Sequence, residues 1–510
     1  VTVSAPALRV DGVTKRFGDL VANESISFAV SRGEILALLG ENGAGKTTLM
    51  NIVFGHYVAD AGRVEVEGMP LPPGDPRAAL AARVGMVHQH FALADNLTVL
   101  DNVMLGTESL WRPLSDRAGA RARLRRLATE AGLDIDPDIQ VGKLGVGEKQ
   151  RVEILKALYR DVRLLILDEP TAVLTPAETD ALFAILRRLV GSGLSIVFIS
   201  HKLGEVVAIA DRIVVLRQGR VVLTRACAGA SRAELAEAMV GKRIETPRFG
   251  HGAPGAVALA LEGVSARGVD GRGALDDVDL ELRFGEILGI AGVAGNGQSV
   301  LADLAGGMVV PSKGRLRIAA LDAPPRTPAG FVAAGIGRIP EDRHAQGVVG
   351  DMAVAENAVI ERLGDRRFSA FGWLRPAAMR AHAARLIERF DIRGAAPRTR
   401  TRLLSGGNMQ KLILGRVLDA APRIVVAAQP TRGLDVGAVA YVQAQLDAAR
   451  ARGAAILLIS EDLEELLAMC DRIAVIYRGR LTRPLPAADL DMRRLGLMMA
   501  GAAPEHGHAA

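Results

Sequence analysis

The chain has 510 residues, of which 49% are apolar, 24% charged and only 4% aromatic, and it carries a net charge of +6. That length exceeds what one hydrophobic core ordinarily supports, and the composition excludes a wholly disordered chain, so two or more aliphatic-rich domains are expected. The two cysteines, Cys227 and Cys470, stand far apart, which excludes a disulfide framework and a thiolate metal site.

The first ten residues, VTVSAPALRV, carry neither a basic leader nor a long apolar core, and no apolar run reaches the roughly 18 residues that span a bilayer. A cytosolic chain that meets a membrane only through partners is expected. Short apolar runs at 34–39, 164–167 and 195–199 each lead into a turn and an amphipathic helical pattern, predicting a mostly parallel sheet with helices on its faces.

The first run opens into Gly40-Glu41-Asn42-Gly43-Ala44-Gly45-Lys46-Thr47-Thr48, a phosphate loop in its required place between strand and helix. Its glycines let backbone amides and the helix N-terminus face an anion, Lys46 would reach the β- and γ-phosphates, and Thr47 would hold magnesium. Residues 96–159 read as mostly helical, an inserted helical subdomain. Within it the basic run 121–126 mixes with Leu124 and Leu127 as a solvated face, so no nucleic-acid partner is expected. The run RLLILDE then ends in Asp168 and Glu169, placing two carboxylates at the sheet's carboxyl end, one suited to a metal and one to polarising a water.

The second half repeats the first. GEILALLGENGAGKTTL around Lys46 returns as GEILGIAGVAGNGQSVL around Gln298 (298 − 46 = 252), and VGMVHQ at Gln89 returns as IGRIPE at Glu341 (341 − 89 = 252). SIVFISH at His201 returns as AILLISE at Glu461 (461 − 201 = 260), so an eight-residue insertion is expected in one subdomain of the second copy.

LSGGNMQK at 404–411 and LGVGEKQR at 144–151 resemble the signature motif of ABC ATPases, and Gln89 and His201 occupy that family's Q-loop and H-loop positions. The resemblance covers nearly the whole chain. It implies an α/β protein of two tandem ABC-type P-loop ATPase domains, each a RecA-like α/β core with an antiparallel β subdomain and an inserted α-helical subdomain. Domain 1 would span 7–243, a Gly- and Pro-rich linker 244–256, domain 2 257–501 and a disordered tail 502–510. The resemblance further implies ATP and Mg2+ as cofactors, with Thr47, Gln89 and Asp168 at the metal, Glu169, His201 and Gln89 as the catalytic set, and Phe17 stacking on adenine.

Members of the family pair two domains head to tail, so that each ATP lies between one domain's phosphate loop and the other's signature. On that pattern Leu404, Ser405, Gly406, Gly407, Asn408 and the D-loop Asp435 would complete the site of Lys46. The other site would be degenerate. Lys46 becomes Gln298, Thr47 becomes Ser299, Gln89 becomes Glu341, Asp168 becomes Ala428, Glu169 becomes Gln429 and His201 becomes Glu461. Its signature has Gly145 for the usual serine, and 173–175 read Val-Leu-Thr where 433–435 keep Gly-Leu-Asp.

PEDR at 340–343 and QPTRGLDVGA at 429–438 are similar to importers of simple sugars and nucleosides, and VHQHF at 87–91 and GNGQS at 295–299 to the purine-nucleoside branch. Such a subunit would sit peripherally on the cytoplasmic face of a bacterial inner membrane. It would bind two permease subunits, through segments near 90–115 and 343–375, and serve an extracytoplasmic solute-binding lipoprotein. A soluble tandem ABC ATPase acting on ribosomes or DNA is the rival, disfavoured by the short linker, the broken second site and the isolated cysteines. A regulator that never hydrolyses ATP is disfavoured by the intact Asp168–Glu169 pair.

Overall fold

The computed structural model describes residues 5–501 except 42, 89–90, 109–114, 134, 172–173, 175, 201, 242–253, 270, 272 and 500. The chain divides into two compact units, Val1–Glu245 and Thr246–Ala510.

In the first unit, strands Leu8–Phe17, Leu20–Val30, Ala61–Val66 and Met69–Pro70 form an antiparallel sheet. Its alternation turns Leu8, Val10, Val13, Ile26 and Val30 inward onto the larger sheet. That larger sheet runs in the order Arg220–Ala226, Arg212–Arg217, Ile35–Gly40, Ser195–Ile199, Leu164–Asp168 and Val84–Val87, parallel except for its first member. Ile35–Gly40, Leu164–Asp168 and Ser195–Ile199 are buried at every position, which is why they read as unbroken apolar runs. Glu34 stays outside the strand, because its carboxylate accepts from the Ser31 amide at 2.6 Å and pairs with Arg212 at 2.6 Å.

Helices Val99–Met104, Arg117–Ala131 and Val146–Tyr159 make up the helical subdomain. Arg117–Ala131 buries Leu124 and Ala128 while Arg125 and Arg126 face solvent, the solvated basic face read from the sequence.

The second unit repeats this plan. Ala274–Arg283, Val257–Arg267 and Lys313–Ile318 form its antiparallel sheet. Its larger sheet runs Ile336–Ile339, Ile424–Ala428, Ala455–Ser460, Ile287–Ala291, Arg472–Tyr477 and Arg480–Leu481, and Leu485–Pro486 also pairs with Arg472–Tyr477.

The eight extra residues fall in two places rather than one. The isolated bridges Thr98–Gln140 and Ala353–Arg400 correspond, with offsets of 353 − 98 = 255 and 400 − 140 = 260. Three residues therefore enter before Ala353, where a π-helical turn spans Arg343–Gly347. Five enter after it, in a region that holds the hairpin of Ser369–Ala370 and Trp373–Leu374, whose Phe371 and Trp373 are 101% and 80% exposed.

Candidate nucleotide site

Strand Ile35–Gly40 lies mid-sheet, and Leu38 pairs with Ile199, which pairs in turn with Asp168. This register carries the phosphate loop, Asp168 and Ser200 to one edge, beyond the carboxyl ends of the strands, where open α/β sheets hold ligands. Two positions in the loop admit only glycine. A Cβ on Gly40 would lie 2.5 Å from the Leu216 carbonyl oxygen. One on Gly45, at φ 97°, would strike the Ala22 carbonyl and the Asn23 amide. Gly45 caps helix Lys46–Val53, so the loop amides and the positive end of the helix share one anion-facing concavity.

Lys46 is 6% exposed, and its ammonium donates to the carbonyls of Gly40 at 2.7 Å and Glu41 at 3.0 Å. The buried Asp168 accepts from the Thr47 hydroxyl. Burial, then the Glu169 charge, push its carboxyl above the usual range, against the pull of Lys46 and Thr47. Glu169 follows at φ 49°, its amide donating to the Ile199 carbonyl at 3.0 Å. This left-handed turn costs about 1–3 kcal/mol and takes the chain off the strand direction just after Asp168.

Phe17 ends its strand 44% exposed, with the Tyr57 ring edge-on at 5.6 Å and the Lys15 ammonium 5.3 Å from its centroid. It is a surface aromatic, not the core residue that a strand phenylalanine would ordinarily be. Asn42, Gln89 and His201 lie outside the described residues, as do Val173 and Thr175 of the first D-loop position.

The second unit keeps the backbone and changes the chemistry. Gln298 lies buried where Lys46 does, its amide donating to the Val293 carbonyl at 2.6 Å while its oxygen accepts from the Asn296 amide at 3.0 Å. Gln429 repeats the left-handed turn at φ 47°, its amide donating to the Ile459 carbonyl at 2.7 Å. Its side-chain oxygen accepts from the Glu461 amide at 3.3 Å. Ala428 offers no metal ligand, Ser299 is exposed, and Glu341 pairs with Arg432 at 2.6 Å.

The signature segments differ in the opposite sense. Ser405 caps helix Gly406–Asp419, its hydroxyl accepting from the Asn408 side-chain amide at 2.9 Å, and Leu404 packs in the core below. Beside it Asp435 caps helix Val436–Ala451, accepting from the Ala438 amide at 2.8 Å. A Cβ on Gly407 would meet Ala438 at 3.5 Å, so the two helix starts are in close contact. In the first unit Gly145 caps helix Val146–Tyr159, and its amide donates to the Glu148 carboxylate at 2.8 Å. Glu148 thus stands at the helix tip where the second unit has the neutral Asn408.

Sequence reasoning passes over several residues of the site. Asn23 is fully buried and donates from its amide to the Gly45 carbonyl at 3.1 Å; the second copy has Leu275 there (275 − 23 = 252). The loss of a polar residue between copies is the available signal. Glu205 accepts from Thr171 at 2.6 Å and Ser200 at 3.1 Å and pairs with Lys202 at 3.2 Å, tying the segment after Asp168 to the one that leads to His201.

The sequence profile of the ABC transporter family matches residues 23–172 and again 275–432. The chain belongs to the ABC transporter family. It is 44% identical over 527 aligned positions to a glucose import ATP-binding protein of Haloferax volcanii, covering 97% of this chain and 96% of that protein. It is 41% identical over 490 positions to a nucleoside import ATP-binding protein of Lactococcus lactis, covering 96% of this chain and 97% of that one. A guanosine import ATP-binding protein of Bacillus subtilis is also 41% identical over 490 positions, with 96% of each chain covered. This ABC protein is therefore a tandem α/β ATPase. No helix among its described residues is long and apolar enough to cross a membrane.

Proposed function

We propose that this ABC protein energises an importer of nucleosides or simple sugars through one complete ATP site, made from the phosphate loop of its first unit and the signature of its second. The observation that carries the reading is how the losses sort. Lys46, Asp168 and Glu169 are kept in the unit whose signature tip bears Glu148, while Ser405, Gly407 and Asp435 are kept in the unit with Gln298, Ala428 and Gln429. Head-to-tail pairing gathers every intact part at one nucleotide and every altered part at the other.

At the complete site the loop amides and the Lys46 helix bind the phosphates, and Lys46 exchanges its loop carbonyls for phosphate oxygens. Thr47 and Asp168, a hydroxyl and a carboxylate already in contact, are a hard-oxygen pair that fits Mg2+, and Gln89 would join them in holding it. That ion would neutralise charge developing on the phosphates. Glu169 polarises the attacking water, His201 contacts the γ-phosphate, Phe17 stacks on adenine, and Ser405 with the Gly406 and Gly407 amides closes the site.

The named relatives import glucose, nucleosides and guanosine, and the VHQHF and GNGQS segments favour a nucleoside for this chain. Two permease subunits and an extracytoplasmic binding protein complete the system, with this chain on the cytoplasmic face of the inner membrane. The test is radiolabelled guanosine and ribose uptake, with ATPase assays, in cells carrying the intact chain, Glu169→Gln or Gln429→Ala. Uptake lost with Glu169→Gln and kept with Gln429→Ala is expected. Equal loss in both would sink the single-site reading.

A further inference from the structure

The π-helical turn Arg343–Gly347 lies in the stretch that gains three residues in the second unit, and such turns concentrate at functional sites. It is anchored at both ends. The Asp342 carboxylate accepts from the amides of His344 at 2.8 Å and Ala345 at 2.9 Å. At the other end the buried Arg416 donates to the Gly347 carbonyl at 2.9 Å and pairs with Glu361 at 3.0 Å.

So held, Arg343 reaches two segments at once. Its guanidinium donates to the Arg432 carbonyl at 2.6 Å. A Cβ on Gly433, at φ 64°, would come within 3.0 Å of the same nitrogen, and one on Gly406 within 3.6 Å of the other. Gly406 opens the signature helix, and Gly433 lies two residues before Asp435, the cap of the next helix. Gly433 leaves the space that the guanidinium occupies, while at Gly406 the guanidinium lies in ordinary van der Waals contact. The neighbouring Arg432 is fixed from its other side by the ion pair with Glu341. In the first copy the corresponding position is Phe91 (343 − 252 = 91), and there both the signature and the D-loop have changed.

We infer that Arg343 is a positioning residue that sets the signature helix tip and the D-loop of the second unit at a fixed spacing, so that Ser405, Gly407 and Asp435 reach the nucleotide together. Its broad planar guanidinium donates to the Arg432 carbonyl while lying against Gly406, a bridging that a lysine ammonium does not reproduce. The placement is internal to the second unit; its consequence for catalysis rests on the composite site proposed above.

The test uses the full chain with Arg343→Gln and Arg343→Lys. Without nucleotide, hydrogen exchange in Arg343→Gln is expected to speed up at residues 405–409 and 432–438 and nowhere else in the unit. Its kcat should fall on the order of 10²-fold, as for other small misplacements of catalytic groups, with KM for ATP unchanged. Arg343→Lys should restore only part of the rate. Should Arg343→Gln loosen the whole unit, the lysine variant decides by the same two readouts. Unchanged exchange at both segments, or a raised KM with kcat intact, overturns the inference. Full turnover in a Ser405→Ala control would instead overturn the composite site, and the exchange result would still decide the role of Arg343.

Discussion

Glu465 corresponds to Glu205 of the first copy (465 − 205 = 260), but its setting has lost a cation: Lys202 becomes Asp462. The residue is buried, and its carboxylate accepts from the Ser460 hydroxyl at 2.6 Å. Burial first, with the Asp462 charge adding to it, pushes its pKa from 4.5 up to about 7, against the hydrogen bonds of Ser460, Thr431 and Gln443. A folded-state value above the unfolded one means that this group's stabilisation is full below about 4.5 and is lost as pH rises through about 7. The difference, 7 − 4.5 = 2.5, corresponds to about 3 kcal/mol at pH 8.

Glu465→Gln keeps an acceptor for Ser460 and removes the buried charge. At pH 8 it should raise the unfolding temperature of the second unit by roughly 5–10 °C, and near pH 5 by about a quarter of that. Differential scanning calorimetry of the parent and variant chains at pH 5, 6.5 and 8 measures this directly. A gain independent of pH, or a loss at pH 8, would refute the reasoning. Asp462→Lys, which rebuilds the ion pair of the first copy, should also flatten the profile, at a cost of about 1 kcal/mol for the helix cap that Asp462 supplies through the Glu464 and Glu465 amides.

Three other outcomes follow from the site. Gly45→Ala forces a Cβ into the Ala22 carbonyl at a left-handed position; it should cost at least about 1–2 kcal/mol in urea unfolding and abolish ATP binding in a filter assay. Phe17→Ala should raise KM for ATP about two- to tenfold with kcat unchanged, while Phe17→Tyr behaves as the parent; equal effects of both would remove Phe17 from the adenine site. Gln298→Lys should add no ATPase activity to a Glu169→Gln chain, since Ala428 and Gln429 still supply neither metal ligand nor base and Glu461 still stands in the place of a histidine; restored turnover would refute the degenerate assignment.

Much of this site is readable in the sequence because its parts are local. A glycine pattern between strand and helix, and an apolar run ending in Asp168-Glu169, each specify their own geometry from a few adjacent residues. Comparison of the two copies then yields the substitutions without any structure. What escapes depends on chain segments brought together only by folding. Asn23 reads as an ordinary strand residue until the antiparallel sheet lays it against Gly45. Tyr57 has no pattern of its own until it stands edge-on to Phe17. The left-handed turns at Glu169 and Gln429 are set by hydrogen bonds from their amides to the Ile199 and Ile459 carbonyls of the neighbouring strands, not by residue type. The motif offsets count the inserted residues correctly but suggest a single place for them, because the flanking motifs do not resolve where within the helical subdomain the extra residues lie.

In the proposed composite site one ATP is held by Lys46 on one side and Ser405 on the other. A structure of the Glu169→Gln chain with its permeases, trapped with ATP and Mg2+, tests it most directly. The γ-phosphate is expected within hydrogen-bond reach of both the Lys46 ammonium and the Ser405 hydroxyl. ATP bound at Lys46 with the Ser405 helix tip turned away would contradict it.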